Sequence, residues 1–267
     1  MAIVKKVSIL GCGWFGLALA KRLIEDGYAI KGSCTRDEKV EILENRGIEP
    51  FKVVFNAEEG FYSEGFFETD LVVISIPPNS KSGEASLYPE KLKRIKDALI
   101  KHQVSRVIFI SSTGVYADDN RTVDETVLPQ PETESGKALL DAENLLKETE
   151  AYKLSIVRFA GLIGPGRDPG RFFAGKKGIP NGEAPVNLIQ QKDCVEIVSR
   201  INSKDAFGYI FNAASEEHPA KEDFYVKAAQ RSGLEIPQFT HELKKWKIVA
   251  SVNLKAILSY NVGPLDL

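Results

Sequence analysis

The sequence predicts an α/β protein built on a doubly wound parallel sheet, with a smaller C-terminal part. Short, continuously apolar runs alternate with amphipathic stretches of helical period, the pattern of a parallel sheet covered on both faces. The first run passes through three closely spaced glycines, "GCGWFG" at 11–16, directly into the first helical stretch. After residue 160 the alternation gives way to "GLIGPGRDPGRFFAGKKGIPNGEAP", rich in Gly and Pro and too long for a plain connection. Loops of this kind usually bind or cover something.

Residues 7–10 read as a buried strand and 14–26 as a helix with Leu17, Ala20, Leu23 and Ile24 on one face, stopped by Gly27. A strand over 28–33, a helix over 37–45 and a strand over 51–55 follow. "DLVVISIPP", 70–78, is a fourth strand stopped by two prolines. The spacing of Leu92, Ile95 and Leu99 predicts a helix over 89–101. A fifth strand over 105–112, a helix over 135–148 and a sixth strand over 153–161 complete the regular part. Beyond the Gly/Pro stretch a helix is expected at 192–201, a strand at 209–212 and a helix at 221–231, while the tail from Ile236 is weakly patterned.

The 267 residues carry a net charge of −2, with 43% hydrophobic and 27% charged residues, which fits a soluble globular protein and gives no electrostatic grip on nucleic acid or anionic lipid. The densest basic run, Lys91, Lys93, Arg94, Lys96 and Lys101, lies in a helical pattern and reads as a solvated face. No apolar run approaches the roughly 20 residues that span a bilayer, so neither a nucleic-acid nor a membrane partner is expected. Three widely spaced cysteines, Cys12, Cys34 and Cys194, form no zinc pattern and fit a reducing compartment. With no signal-peptide pattern before the first strand, the expected location is the cytoplasm.

Gly11, Gly13 and Gly16 form G-x-G-x-x-G between a strand and a helix, the context the motif needs to hold a dinucleotide. Gly11 permits the tight turn, Gly13 lets the backbone approach a pyrophosphate, and Gly16 lets helix and strand pack closely. The start of the helix then offers free N–H groups to the phosphates, with Trp14 and Phe15 inside the turn joining the cofactor contacts. The fold class is therefore Rossmann-type. Residues 1–160 are expected to form its dinucleotide-binding core, and 161–267 a mixed segment that completes the sheet and forms a substrate-binding lobe. Cofactor choice is read at the end of the second strand, "KGSCTRDEK". No carboxylate precedes Asp37, and Thr35 and Arg36 stand where a 2′-phosphate would lie, which favours NADP over NAD. Ile76 and Pro77, with Pro78, are expected to wall the crevice beyond the fourth strand.

At the fifth strand, "VIFISSTGVYADDNRTVDET" resembles the Ser/Thr-bearing segment of the extended short-chain dehydrogenase/reductases, among them the NAD-dependent nucleoside-diphosphate-sugar epimerases and dehydratases. "GCGWFGLALAKRL" is similar to their cofactor turn in an atypical G-x-G-W-x-G form. "SIVRFAGLIGPGR" resembles their segment after the sixth strand, and "NLIQQKDCVEIV" a later one, with Gln190 in place of His. The resemblance spans residues 7 to about 230 and is nearest to the atypical epimerase-like members. It implies hydride transfer with a nicotinamide cofactor, a tyrosine that moves the substrate proton, a lysine four residues on that lowers the tyrosine pKa, and a Ser/Thr on the reacting oxygen. An unperturbed phenol has a pKa of about 10, so such a base needs a nearby cation.

Counted from "GVY", Ser112 takes the Ser/Thr position, and Lys137 is the candidate lysine. Four residues before it stands Thr133, not tyrosine, and there is no Tyr between Tyr116 and Tyr152. An aliphatic hydroxyl is a poor proton shuttle. Ser112 reads equally as a strand-end hydroxyl bonded to backbone, and Lys137 as a surface lysine. Tyr116 matches the family's V-Y-G tyrosine and is a candidate for substrate contact, as are Gly164, Arg167 and Asn187; Arg167 and Arg171 could face an anionic substrate. His102, His218 and His241 lie in no metal or triad spacing, "GKKG" at 175–178 lacks the rest of a phosphate loop, and Asp193 reads as a helix start. Two functions remain open: an NAD(P)-dependent epimerase, dehydratase or reductase acting on a sugar nucleotide or related hydroxyl or ketone, or a catalytically silent NADP-binding sensor or regulatory protein. A small-molecule partner is expected, and a homodimer stays open.

Overall fold

The computed structural model describes residues 5–78 and 84–266. In chain order the elements are β1 (Lys6–Leu10), α1 (Trp14–Glu25), β2 (Ala29–Cys34), α2 (Val40–Glu44), β3 (Ile48–Phe55), β4 (Gly60–Tyr62), β5 (Leu71–Ile74), α3 (Tyr88–Lys101), β6 (Arg106–Ser112) and β7 (Arg121–Val123). There follow α4 (Glu134–Lys147), β8 (Lys153–Phe159), β9 (Gly161–Ile163), β10 (Leu188–Gln190), α5 (Gln191–Ser203), β11 (Ile210–Ala213), α6 (Lys221–Arg231), β12 (Lys247–Val249) and α7 (Asn253–Leu258).

Eight strands form one sheet in the order β11-β8-β6-β5-β1-β2-β3-β4, parallel except for the antiparallel edge strand β4. The chain winds from β1 through β2 to β3, then returns to β5 on the other side of β1 and winds outward to β6, β8 and β11. Right-handed crossovers in opposite directions put α1 and α3 on opposite faces. Accordingly α1 packs on α5, and α3 on α4. The direction of winding switches between β1 and β5, so a crevice opens beyond their carboxyl ends.

The central strands form because their side chains are apolar on both faces: all of Leu71–Ile74 is buried, as are Val107, Ile108 and Phe109 of β6 and all of β1 after Lys6. The helices present one apolar stripe each, Leu19, Ala20 and Leu23 from α1 and Leu92, Ile95 and Leu99 from α3.

Several boundaries differ from the sequence reading for local reasons. The strand expected over 70–78 stops at Ile74, so Ser75, Ile76, Pro77 and Pro78 leave the sheet and line the crevice; Asn79 and Ser80, read with them, lie outside the described residues, as do residues 1–4 ahead of β1. β3 begins at Ile48, three residues earlier than expected, and contains Pro50. That proline is tolerated because β4 pairs only with Val53–Phe55, leaving β3 at Pro50 with one neighbour, β2. The helix expected over 37–45 divides into a single 3₁₀ turn, Asp37–Lys39, and α2. The weakly patterned tail contains β12, paired with β7, and α7, packed by β11.

One charged pair lies inside the core. Arg158, 1% exposed, donates from Nε and Nη2 to both carboxylate oxygens of the fully buried Glu143, at 3.0 and 2.6 Å. Ser111 donates to Glu143 at 2.6 Å, and Arg158 Nη1 donates to the Tyr116 hydroxyl at 2.6 Å. The network ties α4 to β6 and β8 at the end nearest the crevice. Removing one partner of such a pair leaves the other charge buried and uncompensated. Arg158→Met is therefore expected to cost about 3–5 kcal/mol of unfolding free energy by chemical denaturation, with much of it recovered in Arg158→Met/Glu143→Leu; a single variant losing less than about 1 kcal/mol would show that the pair does not hold this region.

Candidate cofactor and substrate crevice

The crevice starts at the glycine turn. β1 ends at Leu10, and Gly11 takes φ +111°, a conformation closed to most side chains. The Gly11 amide donates to Ser33 Oγ at 2.8 Å, and its carbonyl accepts from the Gly13 amide at 2.8 Å and from Ser75 Oγ at 2.9 Å. The ends of β1, β2 and β5 are thus tied together at one residue. A Cβ on Gly16 would overlap the Gly11 carbonyl oxygen, so helix and strand can pack this closely only around glycine. At Gly13 nothing lies within 4 Å of where a Cβ would stand. Gly13 caps α1 without a side-chain bond, and the first turn has no acidic residue, so the helix start keeps its partial positive charge facing open space.

Two cavities meet at this turn. The larger, about 400 Å³, runs from Gly11, Gly13, Trp14, Phe15 and Gly16 past Ile76 and Pro77 to Ser112, Ser135 and Leu139, with Arg167 on its wall. Its only titratable side chain among the described residues is Arg167. The smaller, about 200 Å³, lies on the other side of Gly13, against Ser33, Thr35, Lys39 and Lys91. Among the described residues its walls carry two lysines and no carboxylate. Cys12 also lines it, with its thiol pushed up to about 12 by burial, so it stays protonated and is no nucleophile.

The structure places the remaining expected site residues unevenly. Ser112 lines the larger cavity, and its Oγ also accepts from the Gly114 amide at 3.1 Å. Arg36 is exposed beside Thr35 and lines neither cavity; Lys39, one turn on, reaches the smaller one. Lys137 is turned out to solvent, 55% exposed, and pairs with Glu134 at 3.2 Å. Thr133 is the N-cap of α4, its Oγ1 accepting from the Gly136 amide at 3.0 Å. The face of α4 that lines the crevice instead carries Ser135 and Leu139, four residues apart and so one above the other. Counting back four residues from Lys137 missed this because Thr133 lies before the helix and its hydroxyl is spent on the cap. The signal was present in the sequence: Leu139, Ala142 and Leu146 mark the inner face, and Ser135 extends it by one turn.

Two expected substrate contacts have their polar atoms engaged within the protein. Tyr116 is 2% exposed, and its hydroxyl lies among Arg158, Asn212 and the Asp124 carbonyl; burial raises its pKa despite the neighbouring guanidinium, which makes it a core residue. Asn187 donates to the Lys247 carbonyl at 2.9 Å and accepts from the Val249 amide at 2.8 Å, so both ends of its amide hold β12. Gly164 lines a third cavity, about 310 Å³, with Asp168, Gln190 and Arg231. Among the described residues no cluster of three His, Cys, Asp or Glu could hold a metal, and no helix is long and apolar enough to cross a membrane.

A mostly parallel sheet with its crevice at the switch point, opened by G-x-G-x-x-G, defines a Rossmann-type α/β fold. Residues 6–111 match the family model described as "NADP oxidoreductase coenzyme F420-dependent". Solved structures share the whole architecture. MoeE5 in complex with UDP-glucuronic acid and NAD superposes with a TM-score of 0.79 at 15% identity, over 97% of this chain and 94% of that one. UDP-N-acetylglucosamine 4-epimerase from Bacillus cereus gives 0.79 at 16%, with the same coverage. At these identities the likeness is one of fold. In sequence, the chain is 36% identical to Protein YeeZ of Escherichia coli (strain K12) over 247 residues, 91% of this chain and 90% of the relative. It belongs to the YeeZ family.

The turn itself can be tested. The space at Gly13 is open, so Gly13→Val is expected to cost no more than about 1 kcal/mol of stability, while NADP(H) affinity falls more than about 100-fold as amide contacts to the phosphates are blocked. Gly16→Ala, by contrast, should cost about 1–3 kcal/mol in folding, because the helix must move. Calorimetric titration and thermal melts read the two effects separately; unchanged affinity in Gly13→Val would place the dinucleotide elsewhere.

Proposed function

We propose that the chain is an NADP(H)-dependent oxidoreductase of the epimerase, dehydratase or reductase type, acting on a small hydroxyl or ketone substrate such as a sugar nucleotide. The observation that carries this reading is the continuity of the crevice: one cavity joins the uncapped start of α1 to the hydroxyls of Ser112 and Ser135. NADP is preferred because the smaller cavity, beyond β2, carries Thr35 and Lys39, with no carboxylate among the described residues that line it. Asp37, the first acid after β2, is exposed and paired with Lys52 at 3.0 Å. MoeE5 supports the substrate class, since that related fold holds a UDP-sugar acid beside NAD. In this reading residues 1–160 hold the cofactor and 161–267 supply the substrate side. Three buried, free cysteines fit the cytoplasm.

When bound, the cofactor supplies or takes up a hydride. Ser112, at the end of β6, and Ser135, on the first turn of α4, are the hydroxyls that can hold the reacting oxygen. Phe15, Leu139, Phe159 and Leu162 keep the cavity apolar around them. Among the described residues the cavity carries no side-chain base, and its one cation, Arg167, lies on Trp14, so the proton passes to or from water through these hydroxyls. Loss of a general acid–base typically slows a reaction by about 10²–10⁴, so slow turnover is expected.

A second reading, a protein that holds NADP(H) without turning it over, is favoured by one observation: the crevice face of α4 carries Ser135 and Leu139, with no phenol and no ammonium. The 340 nm absorbance of NADPH, followed over a panel of sugar nucleotides and small ketones, separates the two. The oxidoreductase reading predicts slow turnover, reduced at least about tenfold in Ser112→Ala. Tight NADPH binding with no turnover on any substrate would leave the silent reading. For cofactor choice, Lys39→Glu is expected to weaken NADPH by about 10–100-fold and NADH little, as removal of a charge-assisted phosphate contact should; equal weakening would take Lys39 away from the 2′-phosphate.

A further inference from the structure

Above the glycine turn the loop after β9 is fastened to the first residue of α1. Trp14 Nε1 donates to the Pro165 carbonyl at 2.6 Å, and the Trp14 carbonyl accepts from Gln191 Nε2 at 3.0 Å. Gly164, at φ +140°, closes a tight turn with Arg167 through reciprocal backbone bonds of 2.8 and 3.3 Å. A Cβ on Gly164 would press on Gln191 at 3.1 Å and on the Trp14 ring at 3.4 Å, so the loop can sit this close only with glycine there. The turn delivers the Arg167 guanidinium onto the indole face, 4.6 Å from the ring.

Apart from its stack on Trp14, the Arg167 guanidinium is not engaged by the protein. Among the described residues it makes no ion pair, and its guanidinium makes no hydrogen bond. Its loop neighbour Arg171 pairs with Asp168 on the surface. A guanidinium stacked on an aromatic face keeps its N–H fork free and oriented, which suits a phosphate. It shares one cavity wall with Gly13, Phe15 and Gly16, where α1 starts and anionic groups are stabilised.

We propose that Arg167, laid on Trp14, is a phosphate clamp: it closes over the diphosphate of bound NAD(P)H from the side opposite the α1 amides. The inference rests on the cofactor reading above and reassigns Arg167 from the substrate to the cofactor. The same chemistry could serve the diphosphate of a sugar nucleotide. The cofactor is preferred because Trp14, which presents the guanidinium, is itself the first residue of the helix whose amides the cofactor meets.

The test is calorimetric titration of wild type, Arg167→Ala and Arg167→Lys with NADPH and with NADH, then of each NADPH-loaded protein with UDP-glucose. The clamp predicts that Arg167→Ala weakens NADPH and NADH alike, by about 10–100-fold, because the diphosphate is common to both. Arg167→Lys, which keeps the charge but not the planar stack, should recover part of the loss. Thermal midpoints should fall by only a few degrees at most, since the side chain is exposed and the stack on Trp14 is the one side-chain contact it loses. Unchanged affinity for both dinucleotides would overturn the proposal, as would a loss confined to UDP-glucose, which would return Arg167 to the substrate. A wild type that binds neither dinucleotide would defeat the cofactor reading itself and the clamp with it.

Discussion

At the start of α1, a run of backbone amides faces open space, and the surrounding structure keeps it that way. Gly16 lets the helix press against the Gly11 carbonyl, which Ser75 and the Gly13 amide hold in place, while Ser33 fixes the Gly11 amide. No side chain caps the helix, and no acid in its first turn offsets the partial charge. An unfilled helix start is ordinarily a cost, since N-terminal amides without partners lose hydrogen bonds. Here three strand ends converge on preserving it, which is the arrangement an anionic ligand would complete.

The rest of the crevice depends on a second constraint, the buried pair of Glu143 and Arg158. It fixes α4 against β6 and β8, and through Ser111 it steadies the strand end that carries Ser112. The same helix brings Ser135 and Leu139 to the cavity wall. The hydroxyl pair is therefore held by rigid elements, even though neither serine has a charged neighbour. The loop that bears Arg167 is held differently, by Trp14 and Gln191, so one side of the crevice is anchored to the core and the other to the turn itself.

Much of the fold was legible because the central strands are apolar on both faces and the helices carry clean stripes; α6 spans the residues expected of it. What sequence could not show were elements made by pairing rather than by their own pattern. β4, β7, β9, β10 and β12 have three residues each and exist because a partner strand lies alongside. At the site, the glycine turn was legible since its spacing has one mechanical meaning. The α4 positions were not, because the family's spacing was counted back from Lys137 to Thr133, which stands ahead of the helix and caps it. Tyr116 and Asn187 were expected at the site because they fall on positions of the family's motifs, and only the structure shows their hydrogen bonds used inside the protein. Lys39 and Lys91 went unread as site residues because only the fold brings the 3₁₀ turn before α2 and the start of α3 to one cavity.

The central claim is that the free amides at the α1 start receive the dinucleotide's phosphates. Amide hydrogen exchange with and without saturating NADPH tests this in the native chain. The account predicts slowed exchange at residues 14–16, at the loop at 164–167 and beside the smaller cavity at 35–39, with little change at the far ends of the strands. Protection absent from 14–16, in a protein that demonstrably binds NADPH, would contradict it.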